Sequence, residues 1–258
     1  MERRFDERLE NYDLADAQSK LEYNRRLFAV VAGRYDAVTT VLSFGRDRSW
    51  KRYLVGSLPE IGVHEALDIA CGTGDLTFAV ADRYPGACVI GADLAEEMLA
   101  RARRNRRRRA AARPDHSASV RFETVRFETG DMSDLTYEDG RFDLVTAGYA
   151  FRNAPDLSAA LRSVFRVLRP RGTLAILDFS HAAGPAAASL QIGLLRFWGR
   201  LWGKLLHDNP EVYGYIAESL RRFPSLPALE EQLREVGFRR VRSRTFFLGL
   251  IAVTFARK

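Results

Sequence analysis

Cysteine occurs only twice in 258 residues, at Cys71 and Cys88, and histidine four times. Two cysteines cannot staple a small secreted scaffold, and their spacing matches no zinc-ligand pattern. No apolar run approaches the ~20 residues needed to cross a bilayer. The first twelve residues, Met1–Tyr12, are charged and lack the apolar stretch of a secretory signal. A reduced, cytoplasmic setting with no metal centre is therefore expected. What the chain does have is length and ordinary globular composition, 47% hydrophobic and 28% charged, enough for a well-filled core.

Its net charge of +7 is unevenly placed. Arg101, Arg103, Arg104, Arg106, Arg107, Arg108, Arg109 and Arg113 fall in one short stretch and more than account for the whole excess. Such a block can attract nucleic acid or an anionic membrane. No nucleic-acid recognition motif accompanies it, so a solvated helix end running into a flexible loop is the reading carried forward, with weak contact to anionic lipid left open.

Patterning along the chain points to one α/β domain. Residues 1–24 read as a polar, partly helical, mobile lead-in and residues 25–258 as the domain. Leu27, Phe28, Val30, Val31 and Tyr35 begin a helical cover over residues 25–58. Short apolar strands are expected at Ala66–Ala70, Cys88–Ala92, Val120–Phe127, Phe142–Ala147 and Thr173–Phe179, alternating with helices. The helix Leu157–Leu168 is stopped by Pro170 and Gly172. A helical insertion over residues 185–225 precedes a last helix, Leu226–Val236, and two closing strands, Phe238–Ser243 and Phe246–Ala256. The expected architecture is α/β: a Rossmann-like, seven-stranded, mostly parallel sheet with helices on both faces and an antiparallel last strand.

Val120–Thr124 and Val125–Thr129 form a perfect tandem repeat, VRFET twice. An insertion of odd length turns a strand's inward face outward, so only one copy fits the register. The second copy, which runs straight into Gly130-Asp131, is expected in the sheet.

The sharpest local signal is Leu67-Asp68-Ile69-Ala70-Cys71-Gly72-Thr73-Gly74-Asp75. Small residues after a strand let the chain turn tightly and approach a ligand closely. The third glycine of a dinucleotide fingerprint is missing, and no P-loop lysine follows. Asp68, inside the strand, would repel a pyrophosphate but suits a cationic sulfonium bearing an ammonium group. Together these disfavour a nicotinamide-dependent dehydrogenase and favour S-adenosylmethionine as cofactor. Asp93, ending the second strand with Leu94 after it, can accept bonds from ribose hydroxyls. Asp131 can accept one from the adenine amine while Met132 packs on the ring. Taken alone, each aspartate reads equally well as a helix cap or turn residue. Three acids at the carboxyl ends of successive strands instead mark the edge where such sheets bind ligands.

From about Phe28 to its C-terminus the chain resembles the ubiquinone/menaquinone biosynthesis C-methyltransferases, a branch of the class I methyltransferases that includes demethylmenaquinone methyltransferase. The matching stretches are Arg34-Tyr35-Asp36, Leu42-Ser43-Phe44-Gly45 with Trp50-Lys51, the Asp68–Thr77 loop, Phe151-Arg152-Asn153, Arg166-Val167-Leu168-Arg169-Pro170, Asp178-Phe179-Ser180, Tyr213-x-Tyr215 with Ala217-Glu218-Ser219, and Phe223-Pro224. Gly72 and Gly74 are expected at the cofactor from the loop itself; the resemblance implies that Thr73, Asp93, Asp131 and Met132 hold the cofactor and that Arg152 and Asn153 are catalytic. Tyr35 either donates to a substrate oxygen or packs in the cover. Where the family usually has Asn-Asp after the Tyr-Asp motif this chain has Thr39-Thr40, and its Thr-Gly-Gly element appears as Phe247-Leu248-Gly249. The acceptor implied is a hydrophobic polyprenyl quinol. The apolar segment Leu190–Leu206, with Phe197, Trp198 and Trp202, suits a greasy tail or the periphery of a membrane, and also suits plain core packing. A homodimer is compatible with this reading. Two alternatives stay open: another lipid, phenol or amine as acceptor, and a non-catalytic protein that binds RNA or membrane through its basic block.

Overall fold

The computed structural model describes residues 12–13, 16–33, 35–43, 45–60, 62–112, 124–182, 184–207, 209 and 211–258. Three helices come first: α1 (Ala17–Val31), α2 (Tyr35–Leu42) and α3 (Asp47–Gly56). β1 (Glu65–Ile69), α4 (Asp75–Arg83), β2 (Cys88–Asp93), α5 (Glu96–Ala111), β3 (Val125–Thr129) and β4 (Phe142–Gly148) follow. A short 3-10 turn, Phe151–Asn153, leads to α6 (Leu157–Val167) and β5 (Leu168–Phe179). Then come α7 (Pro185–His207), α8 (Glu211–Arg222), α9 (Leu226–Val236), β6 (Arg239–Phe246) and β7 (Ile251–Arg257).

The strands form one seven-stranded sheet in the order β3-β2-β1-β4-β5-β7-β6. β7 runs antiparallel to both of its neighbours, and the five strands from β3 to β5 are parallel. The central strands are buried on both faces, as parallel strands covered by helices must be. One apolar cluster packs α6 and α9 on one face, with Leu161, Val164, Leu229 and Leu233. A second packs α3 and α4 on the other, with Trp50, Leu54, Leu76 and Phe78. The expected sheet, helical cover and helical insertion are all present.

Several boundaries differ from the sequence reading, each for a physical reason. The lead-in expected through residue 24 gives way to helix at Ala17, because Asp16 accepts a hydrogen bond from the Ser19 amide (2.7 Å) and caps it. Lys20, Tyr23 and Asn24 of that first stretch are buried. Third-strand pairing begins at Val125, in the second copy of the repeat, with Val125 opposite Val89 and Phe127 opposite Gly91. Apart from Thr124, the first copy lies outside the described residues. Leu168 belongs to β5 rather than to the helix before it, and a bulge absorbs Pro170 and Gly172 between the Phe142–Leu168 and Leu144–Thr173 pairs. The closing strands are paired but start later, leaving Phe247–Leu250 as the connecting turn.

The arginine stretch is only partly solvated. Arg106 donates to the Val125 carbonyl (2.7 Å), and Arg103 reaches Glu96 and the Phe127 carbonyl. The Arg109 guanidinium lies 4.6 Å over the Phe78 ring. These contacts fix α5 to β3 and α4; Arg113 lies outside the described residues.

Gly74 fixes the turn from β1 into α4. Its φ is +89°, and a Cβ there would sit 2.9 Å from the rings of both Phe127 and Phe78. Gly74→Ala is expected to lower the urea midpoint by an amount equivalent to about 1–3 kcal/mol, through backbone strain plus collision with two buried rings. An unchanged midpoint would show that the rings give way freely.

Candidate functional site

The loop after β1 leaves the sheet through three residues with positive φ: Ala70 (49°), Gly72 (55°) and Gly74 (89°). Two backbone bonds brace it, from Cys71 N to the Ala92 carbonyl (3.0 Å) and from Gly74 N to the Cys71 carbonyl (2.9 Å). Asp93, at the end of β2, accepts from the Gly72 amide (2.8 Å) with Oδ2 and from the Ala95 amide (2.9 Å) with Oδ1. Burial raises its carboxyl pKa, while these amide bonds oppose the shift. Asp131 sits beyond β3 in a turn closed by its own Oδ1, which accepts from Ser133 N (2.8 Å).

A cleft opens above these residues. Gly72, Asp93, Leu94, Asp131 and Met132 line it, and Asn24, Arg25 and Phe28 of α1 form the opposite wall. Asp68, Thr73 and Gly74, also expected at the cofactor, do not line it. Asp68 is 1% exposed and spends its carboxylate inward. Oδ2 accepts from Thr77 Oγ1 (2.6 Å) and Oδ1 from Thr146 Oγ1 (2.8 Å). Burial lifts its pKa to about 6 against those two bonds. Asp68 thus ties β1 to β4 and α4 beneath the loop instead of facing a ligand. Thr73 is buried, and its carbonyl accepts from Asn105 of α5 (3.1 Å).

The residues that do face the cleft fit S-adenosylmethionine. Two carboxylates and small-residue backbone suit hydroxyl, amine and cationic groups, and Leu94, Met98 and Met132 supply an apolar slab for a flat ring. A carboxylate has about four acceptor positions, so Asp93 keeps capacity beyond its two amide bonds.

Next to the cleft lies a second, largely apolar cavity of about 830 Å³. Its walls come from α1 (Leu27, Val31), α3 (Trp50), α7 (Leu194, Trp198) and the β6–β7 turn (Leu248). Phe28 and Tyr149 line both spaces. Arg152 faces the apolar cavity and its chain neighbour Asn153 faces the cleft, so the pair straddles the junction.

Arg152 is only 7% exposed. Its Nη1 donates to Ser219 Oγ of α8 (2.9 Å) and contacts Asn153 Oδ1 (3.3 Å). Its Nε lies 3.3 Å from Asp178 Oδ1, an ion pair whose angle does not make a hydrogen bond. Its backbone N–H donates to Asp178 Oδ2 (3.3 Å), and the guanidinium lies 5.0 Å over the Phe179 ring. Burial drives the Asp178 pKa up to about 6, opposed first by Arg152. Asn153 donates from Nδ2 to the Tyr149 carbonyl (3.0 Å). From α1, Lys20 Nζ donates to the carbonyls of Ala154 (2.6 Å) and Arg152 (3.3 Å), and Asn24 Nδ2 to that of Asn153 (2.7 Å). Burial and the charges of Arg152 and Arg222 lower the Lys20 pKa to about 8.

Of the three residues expected to be catalytic, the structure brings Arg152 and Asn153 together; the Tyr35 side chain lies outside the described set. His181 is half-buried with Nε2 2.8 Å from the Phe223 carbonyl. Sequence reasoning did not single out Tyr149, Lys20 or Asn24. Tyr149 has φ of 58° and donates its hydroxyl to Asp47 Oδ1 (2.8 Å), while Asp47 Oδ2 pairs with Lys51 (2.8 Å). No periodicity marks a left-handed tyrosine at a strand end. Lys20 and Asn24 are one helical turn apart, a spacing that a polar helix face shows equally.

The Asp178–Arg152 pair gives the site a pH dependence of known sign. Above about pH 6 Asp178 is ionised and holds the guanidinium; as pH falls through that value it takes a proton and the hold is lost. Turnover should therefore fall on the acid side near pH 6. Asp178→Asn should remove that limb and lower turnover at neutral pH about a hundredfold by misplacing Arg152. Calorimetric affinity for S-adenosylmethionine should stay within about threefold of the parent, since Asp178 does not line the cleft. An acid limb that persists in the variant would remove Asp178 from this role.

The chain was compared with known proteins. The model of the ubiE/COQ5 methyltransferase family matches residues 16–258. A demethylmenaquinone methyltransferase of Deinococcus radiodurans is 34% identical over 235 residues, covering 90% of this chain and 92% of that protein. One from Thermus thermophilus is 36% identical over 230 residues, covering 88% and 97%. Among solved structures, a SAM-dependent methyltransferase of Thermotoga maritima, a possible histamine N-methyltransferase by its description, superposes with a TM-score of 0.58 at 18% identity, covering 90% and 98%. At that identity the likeness concerns the fold. The family model and these two relatives cover nearly the whole chain, which is a SAM-dependent methyltransferase and belongs to the ubiE/COQ5 methyltransferase family.

Proposed function

We propose that this enzyme transfers a methyl group from S-adenosylmethionine to a ring carbon of a demethylmenaquinol or a closely similar polyprenyl quinol. The observation that carries this reading is the position of Arg152-Asn153, with Asn153 on the cleft that holds Asp93 and Asp131 and Arg152 on the apolar cavity. The demethylmenaquinone methyltransferases it resembles supply the acceptor class.

Bound S-adenosylmethionine supplies a methyl already activated by its cationic sulfur, so the residues' work falls on binding and on the acceptor. Asp93 would accept from the ribose hydroxyls and Asp131 from the adenine amine, with Leu94 and Met132 against the ring. Gly72 gives the backbone its close approach; Asp68, Thr73 and Gly74 would act from behind by fixing the loop. The apolar cavity would take the quinol ring and the start of its tail.

A ring carbon ortho to a hydroxyl becomes nucleophilic when that hydroxyl loses its proton. Among the described residues Arg152 is the one arginine lining the cavity, and a fixed positive charge in an apolar surround stabilises a developing phenolate strongly. Arginine stays charged, so it acts by lowering the hydroxyl pKa while water carries the proton away. Once the carbon holds the methyl it loses its ring hydrogen as a proton and the oxygen is reprotonated, which restores the aromatic ring. Asn153 fixes the turn by bonding the Tyr149 carbonyl. Tyr35 would donate to the second quinol oxygen. Another phenol or an amine is the second reading, favoured by Thr39, Phe247 and Leu248. These line the cavity at positions that differ from the family's usual residues. We place the enzyme in the cytoplasm, meeting its acceptor at the membrane periphery; no helix among the described residues is long and apolar enough to cross a membrane.

Incubation with S-adenosylmethionine and a demethylmenaquinol should yield, by mass spectrometry, a product heavier by one methyl in place of a ring hydrogen. Arg152→Ala should cut that turnover by about 10²–10³-fold while leaving cofactor affinity near the parent value. Methylation of amines but not of quinols would select the second reading. Equal loss of turnover and cofactor binding would reduce Arg152 to a structural role.

A further inference from the structure

On α7, Leu190, Leu194, Phe197, Leu201 and Leu205 recur at intervals of three and four residues and form a single stripe. All five are exposed: Leu190 is 65%, Phe197 66% and Leu205 64% accessible. At the β6–β7 turn Phe247 is exposed as well, and Leu248 is 94% accessible. Contiguous large apolar side chains left in water mark an interaction surface.

Two observations identify what covers it. Leu190, Leu194, Phe197, Phe247 and Leu248 are both exposed and part of the 830 Å³ cavity wall, so they form the rim of its mouth. The mouth therefore opens through the stripe and not beside it. In addition, Arg196, Arg200 and Lys204, all exposed, follow one another at i, i+4 alongside the stripe. An apolar face with a basic row along it is the pattern of a helix lying in an anionic lipid interface.

We propose that α7 and the Phe247-Leu248 turn dock onto an anionic lipid bilayer with the cavity mouth facing the acyl layer. A polyprenyl quinol then moves from lipid to cavity without exposing its tail to water. The docking rests on the quinol reading for its purpose, but not for its physical basis. It also assigns membrane contact to α7 and not to the arginine-rich α5. α5 packs on β2 and β3, at the opposite edge of the sheet from β6, and spends Arg103, Arg106 and Arg109 on internal contacts.

The test is co-sedimentation of the full chain with phosphatidylcholine vesicles, with and without phosphatidylglycerol, alongside turnover of a tail-free quinol in solution and a tailed quinol in vesicles. The parent should bind the anionic vesicles and bind neutral ones more weakly. Arg196→Gln and Arg200→Gln should each weaken anionic binding about fivefold. Leu201→Glu with Leu205→Glu, on the stripe but off the cavity wall, should weaken binding to both vesicle types at least about tenfold. These variants should keep parental turnover of the tail-free quinol and lose turnover of the tailed one. Arg104→Gln with Arg107→Gln on α5 should bind as the parent does.

Parental vesicle binding by the leucine variant, or loss of binding in the α5 variant, would overturn the docking. So would a concentration-dependent dimer in lipid-free buffer that the leucine variant abolishes, since a second copy would then cover the stripe. Absence of tail-free quinol turnover in the parent would instead refute the proposed acceptor, whatever the vesicles show.

Discussion

A guanidinium held at 7% exposure is costly, and most of this site is arranged around meeting that cost. Asp178, at the end of β5, faces Arg152 with one carboxylate oxygen and takes its backbone amide with the other. Ser219 reaches it from α8, Phe179 lies beneath it, and α1 grips the carbonyls of Arg152, Asn153 and Ala154 through Lys20 and Asn24. Sheet, insertion and N-terminal cover therefore converge on one three-residue turn. Taking away one partner of such a buried pair leaves a charge with nothing to offset it, typically at about 3–5 kcal/mol.

The cofactor side uses carboxylates differently. Asp68 and Asp93 lie on adjacent strands, yet one is sealed by two threonine hydroxyls and the other stays at the cleft floor while holding a glycine amide. The first makes the crossing of β1, β4 and α4 rigid; the second couples the glycine loop to the surface where a ligand would lie. β1 sits between β2 and β4, so the chain's direction of progress across the sheet reverses here. Open α/β sheets present their crevice at such a reversal. Tyr149, in a left-handed conformation at the end of β4, then stands between the half that holds Asp93 and Asp131 and the almost wholly apolar half.

Much of this was readable in the chain. Alternation of short apolar runs with helical periodicity is a direct consequence of burying a parallel sheet on both faces, so strand count and order of elements followed from pattern alone. Parity admits only one copy of the tandem repeat to the sheet, and the second copy could be chosen because it runs straight into Gly130-Asp131. Asp93, Asp131 and Met132, expected from their places at strand ends, do line the cleft. Asp68 was misjudged as ligand-facing because spacing gives a residue's place on a strand, while Thr77 and Thr146, distant in sequence, decide where its carboxylate turns. Lys20 and Asn24 escaped notice for a similar reason. Their partners lie about 130 residues on, and a polar, lightly patterned helix looks like a solvated one until its far contacts are known. The role of the α7 leucines was left undecided between core and surface, because an apolar stripe reads alike in both.

In this arrangement Asp178 would serve the reaction only through Arg152. A double-mutant cycle on turnover, using Arg152→Ala, Asp178→Asn and the two combined, tests it most directly, because coupling shows as non-additivity. Adding Asp178→Asn to Arg152→Ala should cost almost nothing further. Two losses that simply multiply would contradict it.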